Sequence, residues 1–492
     1  MAEEYIIASD VGTQSTRIMI FDKNGNVVSR GVRKHKPHVI RKPGWAEHPE
    51  GDLWNAFKGA CREAMDGFKG DVSEIKAFGL STQRCVRVYL DKDGNVMQPI
   101  MSWLDNRTLH YFDPNPPYDK TYKLLTNSGY YTYLMTGELK DTCANLNGIT
   151  YPVDRVKRCW IEDDKEFAKY NLRRDQLSEL VDPGTVMGYV NSWAAEELHL
   201  PEGLPVVAAA GDKEAEALGG GAVEDGQLYI TCGTYCGPAL IGSEYVEGPS
   251  IGCNIAANPG KFTYECYGVR RGFWMVSWFA RNFGPIVKDM MDREGIICEE
   301  ALNRLAEQVP PGCEGLMLIP DFVPPSASMP YRRGSYLGFD GRTTAAHMYR
   351  AILEGMAMTI KMNLDWMKED IKKDVKEIRI GGGGSNCELG MQIFSDVLNV
   401  PVVRTTNPDC CTLGAAICGA VGSGIYKNFD EAVKGMVHVR DSFTPDPDRN
   451  EFYEALIKNV YSKVRPITDE IYKAEYDFWE EWDEKAKKLA KK

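Results

Sequence analysis

No stretch of the 492-residue chain approaches the roughly eighteen consecutive apolar residues of a membrane-spanning helix, which excludes a helical membrane protein. The opening Met1-Ala2-Glu3-Glu4 is acidic where an export signal is basic, and the apolar run behind it is too short for one. Basic charge is in deficit. The 58 Lys and Arg stand against 70 Asp and Glu, and the formal net charge of −12 argues against a general nucleic-acid binder. Histidines number only 7, and His35 and His38 have no further partners at ligand spacing, so both are expected at the surface. Cysteines are not scarce, at 14, but they lack a framework: they scatter through apolar segments. Neither Cys410-Cys411 nor the pair Cys232/Cys236 has a second pair at zinc-ligand spacing. The expectation is a cytoplasmic protein with reduced thiols.

What is present describes an ordinary globular chain, with 43% hydrophobic and 26% charged residues and a length that favours two or three domains. Its most informative stretch runs from Leu204 to Leu240. The apolar run Val206–Ala210 ends at Gly211, which predicts a buried strand, and Asp212 stands where a helix should begin. Gln227–Cys232 predicts a second strand running into Gly233-Thr234. The start of the chain repeats this pattern. Tyr5–Ser9 leads into Asp10-Val11-Gly12-Thr13-Gln14-Ser15-Thr16-Arg17 and then the apolar run Ile18–Phe21. A glycine in such a turn lets backbone amides approach a phosphate, and a neighbouring hydroxyl can hold its oxygens. Two copies suggest a duplicated domain with one phosphate loop from each half facing a shared cleft. The alternative for either copy alone is an ordinary hairpin, because Gly-Thr is common in turns.

Other segments fit around this pair. Asn24-Gly25 is a hairpin turn. Trp45, in a Pro-Gly loop, is either a lid over the core or one wall of a ligand pocket. Ile75–Leu80 predicts a buried strand that ends in Ser81-Thr82-Gln83-Arg84-Cys85, the kind of position where ligands gather in α/β sheets. Arg84, Trp103, Asp105 and Arg107 read as a polar, aromatic-walled pocket for a polyhydroxylated molecule, or else as a structural Arg–Asp pair. Asp113–Pro117 marks a break in the chain. Trp274 and Trp278 share a helix face and are expected in the core. The glycines Gly381–Gly384 leave a loop open enough for a flat heterocycle such as adenine, and the small-residue helix from Leu413 is expected to pack on it. The last segment, Ile467–Lys492, reads as a charged, solvated helix.

Taken together these motifs resemble the FGGY carbohydrate kinases over nearly the whole chain. Asp10–Arg17 resembles that family's first phosphate loop, Pro43-Gly44-Trp45 its substrate-side loop, and Gly211-Asp212 its general base. Gly233-Thr234 is similar to the second phosphate loop, Gly382-Gly383 through Asn386 to the adenosine loop, and Gly334–Glu354 to a family signature. The resemblance implies an α/β fold of two duplicated lobes, as in actin, hexokinase and Hsp70 (ribonuclease H-like), with a central cleft. An N-terminal domain would cover residues 1–245, a C-terminal one 246–445, and a helical tail 446–492. It implies transfer of the ATP γ-phosphoryl to a sugar or polyol hydroxyl, with Asp212 as catalytic base and Asp10 holding Mg²⁺. Thr13, Gln14, Ser15, Arg17, Gly233, Thr234, Gly382, Gly383, Ser385 and Asn386 would bind ATP. Trp45, Arg84, Cys85, Trp103, Asp105, Asp212 and Lys213 would bind the acceptor. No nucleic acid or membrane partner is implied, and a homodimer is left open.

The sugar side departs from the family pattern. The segment between Arg107 and Tyr130 is short, and the usual Lys-aromatic-x-Trp signature is reduced to Lys123-Leu124-Leu125-Thr126. Gln83-Arg84-Cys85 is nearer to glycerol kinases, whereas Trp103–Arg107 is more like ketopentose kinases. A ketopentose such as xylulose is favoured, with glycerol or another polyol as the alternative. Two rivals stand beside the kinase: a sugar-binding protein on a decayed scaffold, and an actin- or chaperone-like ATPase.

Overall fold

The computed structural model describes residues 3–113, 120–146, 150–324 and 329–489, so the expected break at Asp113–Pro117 lies, beyond Asp113, outside the described residues. Two sheets organise the chain. The first contains β1 (Tyr5–Val11), β2 (Ser15–Asp22), β3 (Val27–Lys34), β4 (Ile75–Thr82), β5 (Val186–Tyr189) and β6 (Pro205–Gly211), in the order β5-β6-β4-β1-β2-β3. The second contains β7 (Gln227–Cys232), β8 (Cys236–Gly242), β9 (Gly252–Ile255), β10 (Phe262–Glu265), β11 (Glu377–Gly381), β12 (Val402–Thr405) and β13 (Val439–Phe443). Its order is β9-β10-β8-β7-β11-β12-β13.

The sheets share one plan. β1 pairs antiparallel with β2 and parallel with β4, and β7 pairs antiparallel with β8 and parallel with β11. Each sheet adds a further parallel strand, β6 or β12, and an antiparallel edge, β5 or β13. This duplication bears out the two-lobed α/β expectation. The boundary differs from the sequence reading, however. β7 and β8 belong to the second sheet, so the second lobe begins near Gln227 rather than at 246. The loop after β7 repeats the first one because it opens the second copy.

β1 is buried along its whole length because it is covered on both faces. Tyr5, Ile7 and Val11 meet Leu53, Phe57 and Ala60 of helix α1 (Asp52–Gly67). Ile6 and Ala8 meet Leu413, Ala416 and Ile417 of a helix from the other end of the chain, Cys410–Gly422. Two helices thus cross between the lobes, α2 (Asp212–Gly219) and this one, which becomes α7 once α3 (Trp274–Phe283), α4 (Cys298–Glu307), α5 (Ala345–Ile371) and α6 (Glu388–Leu398) are counted. Their contact is made of backbone. A methyl on Gly414 would lie 2.0 Å from the Ala215 carbonyl oxygen, and one on Gly79 of β4 would lie 2.0 Å from that of Ala415. The small residues of α7 therefore serve α2 and the first sheet, not the glycine loop, because backbones can come this close only where side chains are absent.

The C-terminal segment is part of the second lobe and not a separate tail. Tyr453 of α8 (Pro447–Leu456) and Tyr461 are buried in that lobe's core. In α9 (Ser462–Leu489), Asp469 pairs with Arg332 at 2.6 Å and Arg465 with Asp321 at 3.0 Å. Its outer face carries exposed Ile467, Ile471, Phe478, Trp479 and Trp482. Among the described residues no helix is long and apolar enough to cross a membrane.

Candidate active site

Asp212 is the first residue of α2, set there because β6 stops at Gly211, where a Cβ would strike Arg84 at 2.4 Å. Its side chain is 26% exposed. One oxygen accepts from the Lys213 backbone N–H at 3.0 Å and lies 3.8 Å from Arg84 Nε. Asp10, near the end of β1, is buried and faces Arg17 directly across the hairpin; Arg17 Nη1 donates to it at 2.8 Å. Burial raises the Asp10 carboxyl above its ordinary range, Arg17 opposes this, and the negative charge of Asp212 adds to it. The two aspartates are thus near enough to feel each other.

The two Gly-Thr turns flank this pair. Each closes on itself, Gly12 N–H donating to Ser15 O at 3.0 Å and Gly233 N–H to Tyr235 O at 3.1 Å. Lys213, next to Asp212, reaches the Tyr235 ring of the second turn with Nζ 5.6 Å from its centroid. Thr13 in the first turn accepts from Trp103 Nε1 at 2.8 Å. His35 departs from the expectation of a loose surface residue. Its Nδ1 lies 3.3 Å from the Thr13 carbonyl and its Nε2 2.8 Å from the Thr16 hydroxyl, so the ring braces the loop from behind. Burial lowers its pKa, which suits the neutral tautomer that donates at Nδ1 and accepts at Nε2.

Beyond the second turn lies a cavity of about 1010 Å³, with Gly233 and Thr234 at one side and Gly383, Gly384 and Asn386 at another. Phe273 and Trp274 also line it; Trp274 and Trp278 pack against the second lobe's core as their spacing suggested, and Trp274 adds a wall to the cavity. Gly384 rests on the Phe273 ring, where a Cβ would clash at 2.2 Å. Gly382, at φ +87°, is pressed against the end of β7. Ser385, expected to face ATP, turns inward instead. It is buried, and its hydroxyl donates to the Gly382 carbonyl at 2.7 Å, which stabilises the loop.

On the acceptor side the expected pocket divides into two clusters. Asp105 has no exposed surface. Its oxygens accept from the Ala46 N–H at 2.8 Å and from Arg107 N–H, Nε and Nη2 at 2.9, 2.9 and 2.7 Å. Arg107 in turn lies 3.6 Å from the Trp45 ring centroid and donates to buried Glu47 at 2.8 Å. Asp105 is therefore a positioning residue that holds the Trp45 loop, and not a wall of the pocket as expected. Trp45 itself is stacked by Arg107 and partly open. Arg84 goes with Asp212. Its Nη1 donates to Glu214 at 2.8 Å and to Glu265 at 2.6 Å, and its Nη2 to Glu265 at 2.9 Å. Cys85 follows in the left-handed region, φ 61°, a conformation that costs a non-glycine residue about 1 kcal/mol or more. Lys123, what is left of the family's Lys-aromatic-x-Trp signature, donates to the carbonyls of Asp175 and Leu177 instead.

Sequence reasoning missed Glu214 and Glu265. Burial pushes the Glu214 carboxyl up to about 8, against the pull of Arg84 and with help from the charge of Glu265. Burial would raise Glu265 as well, but Arg84 outweighs it and holds that carboxyl below its ordinary value. One guanidinium between two carboxylates thus pulls the pair apart, Glu214 upward and Glu265 downward.

Comparison with known sequences finds the description "FGGY family of carbohydrate kinases, N-terminal domain" matching residues 5–115 and its C-terminal counterpart matching 228–423. The chain belongs to the FGGY family of carbohydrate kinases. It is 38% identical over 478 residues to the uncharacterized sugar kinase YgcE of Escherichia coli (strain K12), covering 97% of this chain and 96% of that one. Among solved structures, gluconate kinase from Lactobacillus acidophilus superposes with a TM-score of 0.80 at 18% identity, over 96% of this chain and 100% of that one. Ligand-bound xylulose kinase from the same organism gives 0.80 at 19%, over 94% and 98%. These structures share the two-lobed fold. As an FGGY kinase the protein is a phosphotransferase with an alcohol group as acceptor, and the family implies ATP as donor.

Proposed function

We propose that this FGGY kinase transfers the γ-phosphoryl of ATP to a hydroxyl of a small carbohydrate, a ketopentose such as xylulose or a related polyol, with Asp212 as general base. The observation that carries the reading is the placement of Asp212. It is partly exposed at the start of α2, between Asp10 on the first phosphate turn and the Lys213–Tyr235 contact with the second. Phosphoryl transfer leaves little covalent chemistry to the protein, so catalysis rests on positioning and charge neutralisation. Thr13, Gln14, Ser15 and Arg17 on one turn and Gly233 and Thr234 on the other hold the phosphates. The adenine lies in the cavity beside Phe273, Trp274, Gly383, Gly384 and Asn386. Asp212 orients the acceptor hydroxyl and takes its proton.

Among the described residues no group of three His, Cys, Asp or Glu side chains is placed to hold a metal, so Asp10, a hard oxygen donor already paired with Arg17, would hold Mg²⁺ mostly through waters. When bound, Mg²⁺ supplies charge neutralisation on the phosphate oxygens. A coupled ADP-release screen across ketopentoses, polyols and glycerol tests the reading. Asp212→Asn is expected to keep ATP binding within about twofold while losing roughly 10²–10⁴-fold in turnover, the usual worth of a general base. Near-normal turnover in that variant rules out the role.

A further inference from the structure

Arg84 is the side chain an anionic acceptor would engage beside Asp212, and its guanidinium is already taken. Nη1 and Nη2 form a two-point pair with Glu265, Nη1 also donates to Glu214, and Nε lies 3.8 Å from Asp212. Glu265 ends β10 of the second lobe, whereas Arg84 follows β4 of the first, so this pair spans the cleft. It is braced from behind by Asn254 Nδ2, which donates to Glu265 at 2.8 Å. The other nearby cations are occupied in the same way, Lys213 by Glu216 at 3.2 Å and Arg17 by Asp10 at 2.8 Å.

We propose that Glu265, by neutralising Arg84 across the cleft, makes the acceptor site select uncharged polyhydroxy compounds and reject sugar acids. The inference rests on the kinase reading and narrows it: the acceptor is a ketose or polyol without a carboxylate. ATP is also an anion, but it arrives with a divalent cation and lies against the amide-lined turns. A free aldonate has neither.

Calorimetry with matched pairs, xylitol with xylonate and glucitol with gluconate, measures the selection without any need for turnover. On the wild-type protein the neutral member is expected to bind about tenfold or more tightly than its acid, the scale on which unpaired like charge acts. Glu265→Gln, which keeps the shape and an oxygen for Asn254, is expected to gain about tenfold in binding of xylonate or gluconate, and Glu265→Asp to keep rejecting both. An acid that binds the wild type as tightly as its neutral partner overturns the proposal. So does a folded Glu265→Gln protein that gains no acid binding, even where neither neutral compound binds. Should that variant not fold, the wild-type pairs decide. A bound polyol that never releases ADP refutes the kinase reading and leaves the charge selection standing.

Discussion

Burial and the neighbouring Glu265 raise the Glu214 carboxyl, and this gives the site a pH limit. Its carboxyl titrates at about 8 in the fold against an ordinary 4.5. Because the folded value is raised, stability falls as pH climbs from 4.5 towards 8, where the unfolded chain is ionised and the folded one is not. Above about 8 a second negative charge forms between Glu265 and Asp212, so kcat/KM is expected to fall with an apparent pKa near 8, and Glu214→Gln should remove that limb. Asp105 works in the opposite sense. Burial alone would raise its carboxyl, but the hydrogen bonds from Arg107 and Ala46 depress it. Its contribution is therefore complete above the unfolded value of about 4 and lost as pH falls through the lower folded one. Asp105→Ala leaves Arg107 and the Ala46 N–H unpaired and should cost about 3 kcal/mol in denaturant unfolding, the low end for breaking a buried pair because Arg107 is 27% exposed. Asp212 was legible because an apolar strand and a glycine point to it. Glu265 was not, since its meaning lies in an arginine of the other lobe, and Asp105 announced polarity without saying which way it faces.

The elements that hold Asp212 in place are α2 and α7, and they meet through glycines. Gly414→Ala would put a methyl 2.0 Å from the Ala215 carbonyl oxygen, one turn along from Asp212. Backbone cannot yield as a side chain can, so the cost is expected at about 1–3 kcal/mol or more. A lowered thermal midpoint together with reduced kcat would show that the crossing positions the base, and an unchanged kcat in a destabilised variant would show that it only holds the fold. The sequence marked α7 as a helix of small residues and so as a site of close packing. It named the wrong partner, because nearness along the chain favoured the glycine loop, whereas the topology carries α7 back to the first sheet.

At the scale of the whole molecule, the proposed function has two repeated sheets each contribute one turn to a single nucleotide. The duplication was visible in the matching Tyr5–Arg17 and Gln227–Gly237 segments, and its boundary slipped because a turn belongs to the copy it opens. ATP with Mg²⁺ at about one hundred times Kd should stabilise the folded chain by roughly 2.7 kcal/mol, read as a thermal shift. The shift should be nearly equal in wild type and Asp212→Asn, because the proposed role puts that carboxylate on the acceptor and not on the nucleotide. The most direct measurement follows a labelled γ-phosphoryl from ATP onto a neutral ketose or polyol, with wild type and Asp212→Asn side by side. Label should pass to the sugar with the wild-type enzyme and fall by roughly 10²–10⁴-fold in the variant while its ATP-induced thermal shift persists. Equal transfer by both proteins would contradict the account.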